Sequence, residues 1–195
     1  MKKLAAILCL SALTTGAFAQ GLVQFANGVG SLISSSQTGT ATTLGAAPVG
    51  SYYFGLLTAD SAAGPFTFSG VYATNTAAGS KLGPPTYQPA VGNWAAGATK
   101  FFEVAGWSSS LGATFNNGWL TALPGDAIWG AGGLFGLSSV GSGVATAAPA
   151  PPFPLFGGTA LSGFNLAPVG TVPEPTSMAL AGLGAAALLI FRRRK

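Results

Sequence analysis

The sequence predicts a mainly β domain, a small antiparallel β-sandwich with long loops rich in Gly, Ala, Ser and Thr. Short apolar runs separated by turn residues support this class, as do weak helical periodicity and the 30 glycines and 13 prolines that divide the chain. The two ends differ, because each combines a continuous apolar segment with a basic cluster. They predict an N-terminal signal helix and a C-terminal transmembrane helix.

The first predicted strands come early in the chain. Residues 22–25 form a short apolar run before a turn, and residues 30–50 are rich in small polar residues and read as a loop. Residues 51–58 are apolar on both faces, as in a buried strand. Residues 66–72 alternate aromatic and polar side chains, the period of a half-buried strand.

The middle of the chain predicts one loop, one strand and one hairpin. Residues 75–93 are polar and contain two adjacent prolines, which favours a loop. Residues 99–107 give the clearest strand pattern. Asn117-Gly118, between Phe115 and Trp119, predicts a tight hairpin turn.

The last part of the exported region predicts a core strand at residues 134–140. Four prolines make residues 145–158 a stiff extended stretch. The whole chain is predicted to contain about seven short strands. The predicted domains are a signal peptide at 1–19, an exported β-rich domain at 20–144, a Pro/Gly-rich extended segment and linker at 145–171, and a separate C-terminal segment at 172–195.

The N-terminus has the three parts of a secretory signal. Two lysines follow Met1, residues 4–13 are apolar, and Ala17-Phe18-Ala19 is a small-x-small cleavage site that predicts a mature start at Gln20. The Sec translocon and a signal peptidase are the expected partners. Cys9 follows Leu8 inside the apolar segment and does not match a lipoprotein box. An uncleaved N-terminal anchor is the alternative.

The C-terminus predicts a short transmembrane helix at 176–191. Residues 178–191 are all apolar or glycine, and at ~1.5 Å per residue they span ~21 Å, less than the ~30 Å hydrocarbon core. Thr176, Ser177 and the stems of the arginines extend that reach. The basic stop at 192–195 is expected to stay in the cytoplasm, with most of the chain outside. A basic tail lying on the membrane surface is the alternative.

The order of features in this tail resembles a known sorting signal. Pro173, Glu174 and Pro175 precede the apolar helix, and Arg192, Arg193, Arg194 and Lys195 follow it. This arrangement resembles the PEP-CTERM sorting signal of Gram-negative bacteria. The resemblance implies cleavage near Pro173–Pro175 by an exosortase, a membrane-embedded processing enzyme, in cells that also make extracellular polysaccharide.

The resemblance covers about the last eighth of the chain. Residues 52–57, 102–107 and 161–166 also loosely resemble the short Gly/Ala-rich domains that often precede such a tail. Those domains have no established chemistry to carry over to this chain.

Charge argues against nucleic-acid binding. The net charge of +4 comes from the chain ends, and residues 20–172 contain two lysines, Lys81 and Lys100, against three carboxylates, a net charge of −1. No cysteine remains after residue 9, so no disulfide is expected in the exported part. So little charge suits a secreted scaffold and opposes self-association only weakly.

The sequence predicts no catalytic, metal or cofactor site. There is no histidine, which removes Ser–His and Cys–His nucleophiles and His-based metal sites. The exported carboxylates are Asp60, Glu103 and Asp126; the two aspartates lie in turn sequences, and Lys100 or a hydroxyl could satisfy Glu103 in its strand. The chain is therefore expected not to be an enzyme.

The aromatic residues have two interpretations. They are bulky enough to form the core of a chain otherwise rich in Ala and Gly, or they form a sugar-stacking surface. In the second interpretation Trp94 and Trp119, both in turn-like sequence, are the expected exposed pair.

Together these patterns predict an exported structural or adhesive protein of the cell envelope or extracellular matrix. It would be anchored by the C-terminal helix and then reach the surface or the medium after processing. The alternatives are an exopolysaccharide-binding module and an unprocessed single-span membrane protein.

Overall fold

The computed structural model describes residues 20–35, 42–43, 50–76, 82, 87–130, 132–157, 160–170 and 183. The chain is mainly β, as predicted, and its strands form two sheets. The strands are β1 Gln20–Gln24, β2 Ser34–Ser35, β3 Thr42–Thr43, β4 Tyr52–Ala59, β5 Thr67–Thr74, β6 Ala90–Ala95, β7 Thr99–Ser108, β8 Leu134–Leu137, β9 Gly141–Val144, β10 Phe153–Pro154 and β11 Asn165–Pro168.

The larger sheet has the order β3-β2-β11-β8-β7-β4-β5, and β9 pairs with β7 beyond the end of β8. The smaller sheet has the order β10-β1-β6. Most pairs are antiparallel, as predicted, but β1 with β10 and β2 with β11 are parallel. Strands near the two ends of the described chain therefore pair with each other.

One hydrophobic cluster contains side chains from both sheets. It includes Val23 and Trp94 from the smaller sheet and Phe54, Phe102 and Leu166 from the larger one, all with no exposed surface. Alternate residues of β4 and β7 supply this cluster because successive side chains of a strand point to opposite faces. The shared core holds the two sheets together.

A second cluster lies on the other face of the larger sheet. Ala105 and Trp107 of β7 meet Phe115, Trp119 and Trp129 there. These last three belong to the segment 109–130, which carries short 3-10 helices at Ser109–Leu111, Asn117–Leu120 and Ala127–Trp129. The central strands of the larger sheet are therefore buried on both faces, which explains why residues 51–58 carry apolar side chains on both faces.

The predicted hairpin at Asn117-Gly118 is wrong. These residues begin a 3-10 helix, and the Asn116 side chain accepts a hydrogen bond from the Gly118 N–H at 2.9 Å. A helical turn brings Phe115 and Trp119 into contact, with ring centroids 5.6 Å apart. The sequence Phe-Asn-Asn-Gly-Trp at 115–119 thus forms a helical turn that buries both aromatic rings in one cluster.

The predicted strand at 134–140 is also shorter than expected. β8 ends at Leu137, and Ser138 caps Val104 of β7 by accepting its N–H at 2.9 Å. The chain then resumes as β9 from Gly141. Because of this break, Glu103 of β7 is paired with neither β8 nor β9.

Loop predictions failed in two places. β6 begins at residue 90, inside the region 75–93, and β2 and β3 fall inside 30–50. The buried residues of β6, Val91 and Trp94, are separated by a glycine and an asparagine, so the segment lacks the apolar alternation by which a strand is recognised in sequence.

The described residues 145–157 and 160–170 contribute strands and core side chains, so the stretch predicted to be extended pairs with earlier strands. β10 and β11 pair within the two sheets, and Leu155, Leu161 and Leu166 are almost completely buried. These late residues therefore pack with strands that precede residue 144.

Both predicted terminal helices lie outside the described residues, apart from Leu183, which is helical. Within the described ranges, no helix has the length and apolar character needed to span a membrane.

Candidate functional site

The predicted sorting and cleavage residues lie outside the described part of the chain: Ala17, Ala19, Pro173, Glu174, Pro175, Arg192, Arg193, Arg194 and Lys195.

Trp94 and Trp119 are not an exposed pair, contrary to expectation. Trp94 has no exposed surface, and its indole Nε1 donates to the Ala98 carbonyl at 2.8 Å. Trp119 is 4% exposed and stacks on Trp129, with ring centroids 5.7 Å apart. The two belong to different core clusters. Neither offers a ring face to a sugar, and the core interpretation accounts for both.

Two of the three exported carboxylates have structural partners. Asp60 accepts from the Lys100 ammonium at 2.7 Å on the protein surface. Asp126 accepts from the backbone N–H of Leu123 at 2.8 Å, which closes the turn before the last 3-10 helix. Lys100 is therefore engaged by Asp60 rather than by Glu103.

Glu103 is the third carboxylate, and it lines a groove of about 590 Å³. It lies on the same face of β7 as Ala105 and Trp107, at the point where the pairing of β7 changes from β9 to β8. No other described residue forms a hydrogen bond or ion pair with its carboxylate. Partial burial raises the pKa of Glu103 above its ordinary value, since desolvation disfavours the charged form.

The groove combines apolar walls with a few polar groups. Phe66, Leu120 and Leu137 contribute apolar surface, and Asn117 and Thr121 contribute an amide and a hydroxyl. The Asn117 side chain is exposed and, within the described residues, has no hydrogen-bond partner. The groove is therefore suited to binding a ligand that offers hydrogen-bond donors and acceptors beside apolar surface.

This groove was not predicted, because its walls come from the 63–67 turn, from β7, from the 3-10 segment and from the end of β8. Those segments are far apart in sequence. The available signal was Glu103 itself, a carboxylate in the middle of an otherwise apolar strand.

Comparison with known families identifies the C-terminal segment. Residues 171–195 match the family model described as the PEP-CTERM protein-sorting motif. No curated protein and no solved structure matches the chain. The match indicates a sorted, exported protein with a C-terminal signal that is processed by an exosortase-type enzyme.

Proposed function

We propose that this chain, which carries a PEP-CTERM sorting motif, is a non-enzymatic structural or adhesive protein of the cell envelope or extracellular matrix. A cleaved N-terminal signal takes it across the inner membrane through the Sec translocon. The C-terminal helix then holds it in the membrane until an exosortase cuts near Pro173–Pro175. The sorting match is the observation that carries the proposal.

The composition of the exported part supports a scaffold role. The two sheets with a shared core suit a β-sandwich, the architecture we propose for residues 20–170. Two of its three carboxylates already have partners, Asp60 in a surface ion pair and Asp126 in a turn hydrogen bond. Little charge remains to keep copies apart at high local concentration.

The processing step is testable by intact-mass measurement of the surface and membrane fractions. The surface form is expected to begin at Gln20 and to end near residues 173–175. Replacing Pro173, Glu174 and Pro175 together by alanine should leave a chain ending at Lys195 in the membrane fraction, because the enzyme loses its recognition element.

A matched control replaces Thr176 and Ser177 by alanine, just beyond the motif, and should be processed normally. A surface form whose sequence continues through Leu180 would refute cleavage. Wild-type protein found only in the membrane fraction and ending at Lys195 would support the alternative, an unprocessed single-span protein.

A further inference from the structure

The groove beside Glu103 contains an amide and two hydroxyls in addition to the carboxylate. Its carboxylate accepts hydrogen bonds, the Asn117 amide both donates and accepts, and the hydroxyls of Thr67 and Thr121 do the same. Both threonine hydroxyls make only long contacts of 3.4 Å to backbone carbonyls. The groove therefore offers several groups able to bond a ligand rich in hydroxyls.

We propose that this groove binds a neutral saccharide, with Glu103 and Asn117 bonding neighbouring hydroxyls and the apolar wall receiving the C–H face of a sugar ring. Phe66 supplies an aromatic surface, and Leu120 and Leu137 extend the apolar wall. The volume of about 590 Å³ lies inside the range of ~300–1,000 Å³ that is typical of small-molecule sites.

The chemistry favours a neutral sugar over two other ligand classes. An acidic sugar would bring a second carboxylate beside Glu103, with no basic residue of the groove lining to offset the repulsion. A simple amine would use Glu103 and leave the amide and hydroxyls without a role. A hydroxyl both donates and accepts, so a polyol uses the whole set.

This saccharide site would supply the adhesive element of the proposed function, but it rests on the groove and not on the sorting motif. Binding is measured on purified protein and processing is measured in cells. Either proposal can therefore fail while the other survives.

The test is a saccharide titration of the full-length chain. The protein is extracted in lauryldimethylamine oxide, a detergent without a sugar headgroup, and titrated with cellotetraose, chitotetraose and tetragalacturonate by saturation-transfer NMR. At least one of the two neutral probes is expected to bind, and tetragalacturonate is expected to bind at least tenfold more weakly. Because a charged acceptor bonds about twice as strongly as a neutral one, Glu103→Gln should weaken binding by about tenfold.

The Asn117→Ala variant should weaken binding several-fold. Asp126→Asn removes the same charge outside the groove and should bind like the wild type. Far-UV circular dichroism checks that each variant is folded. If Glu103→Gln does not fold, the Asn117→Ala variant still tests the groove. The proposal is overturned if neither neutral probe binds, if both groove variants bind normally, or if tetragalacturonate binds as well as the neutral probes.

Discussion

Two stacked tryptophans of the second cluster differ in the environment of their indole N–H groups. Trp129 Nε1 donates to the Leu123 carbonyl at 2.8 Å. Trp119 Nε1 is buried and has no hydrogen-bond partner within the described residues. A buried donor without a partner costs about 1–3 kcal/mol of stability. Packing of the Trp119 ring against four aromatic neighbours outweighs that cost.

This difference predicts unequal effects of the same substitution. Both Trp119→Phe and Trp129→Phe remove similar buried volume, but the first also removes an unsatisfied donor and the second breaks a hydrogen bond. We expect Trp119→Phe to be less destabilising than Trp129→Phe by about 1–2 kcal/mol, measured by urea unfolding. An equal or larger loss for Trp119→Phe would show that its N–H is satisfied in solution.

At the scale of single elements, the last strands complete sheets that begin early in the chain. β11 lies between β2 and β8, and β10 lies beside β1. Removing residues 145–170 would leave β1, β2 and β8 each without one of its neighbouring strands and would delete the core side chains of Leu155, Leu161 and Leu166. Each buried leucine contributes ~1.5–3 kcal/mol, which is large against a typical total of ~5–15 kcal/mol.

We therefore expect truncation between residues 144 and 170 to abolish cooperative folding. A chain of residues 20–170 should unfold cooperatively in urea, whereas residues 20–144 should show no cooperative transition. Circular dichroism during the titration distinguishes the two. If the shorter chain unfolds with the same midpoint, β10 and β11 do not contribute to the core.

Long strands were predictable and short ones were not. β4, β5 and β7 have apolar patterns of eight residues or more, and the predicted positions agree with the structure within about two residues. β2, β3 and β10 are two residues long, too short for any periodicity, and they exist because tertiary pairing fixes them. The prolines of 145–158 predicted an extended backbone but not the strand it would pair with.

At the scale of the whole molecule, charged groups contribute little to the stability of the fold, and burial of apolar side chains contributes most of it. Among the described residues there is one salt bridge, Lys100–Asp60, and the Asp60 side chain is 91% exposed. Exposed pairs contribute about 0–1 kcal/mol, so this bridge is a minor term. In the acidic range we expect the pH dependence of stability to depend on Glu103, and no other titratable side chain faces it among the residues that line its groove. Burial and the neighbouring Tyr72 also raise the pKa of Tyr87, but from 10.0, so that shift acts at alkaline pH.

Burial raises the pKa of Glu103, so the folded protein binds its proton more tightly than the unfolded chain does. Its contribution is most favourable below the ordinary value of 4.5 and is lost as pH rises through the higher value in the folded state. We therefore expect Glu103→Gln to raise the Tm at pH 7, with a difference from wild type that shrinks toward pH 4.5. Thermal unfolding at several pH values measures this.

The Asn117→Ala variant is the control, because it alters the same groove without changing a titratable group. Its pH profile should run parallel to that of the wild type. A Glu103→Gln profile parallel to wild type would contradict an influence of this carboxylate on pH-dependent stability.

The sequence motif and the groove also differ in how far they could be predicted. The sorting signal is a linear string, so the order of its three parts within residues 171–195 is enough to recognise it from sequence. The groove depends on where β8 breaks and where the 3-10 segment crosses the sheet, which single-sequence periodicity does not contain. Trp94 and Trp119 were assigned to turns from their neighbours, but hydrophobic burial determined their positions.

The pairing of early strands with late ones has a consequence for export. β1 pairs with β10, and β2 pairs with β11. The smaller sheet is therefore complete only after residues 153–154 have emerged on the far side of the membrane, and the larger sheet only after residues 165–168. A chain threaded from its N-terminus would wait unfolded during transit, with Val23 and Phe25 uncovered. The sorting motif at residues 171–195 follows the last strand in the sequence, so processing there acts on a chain whose strands have all been made available for pairing.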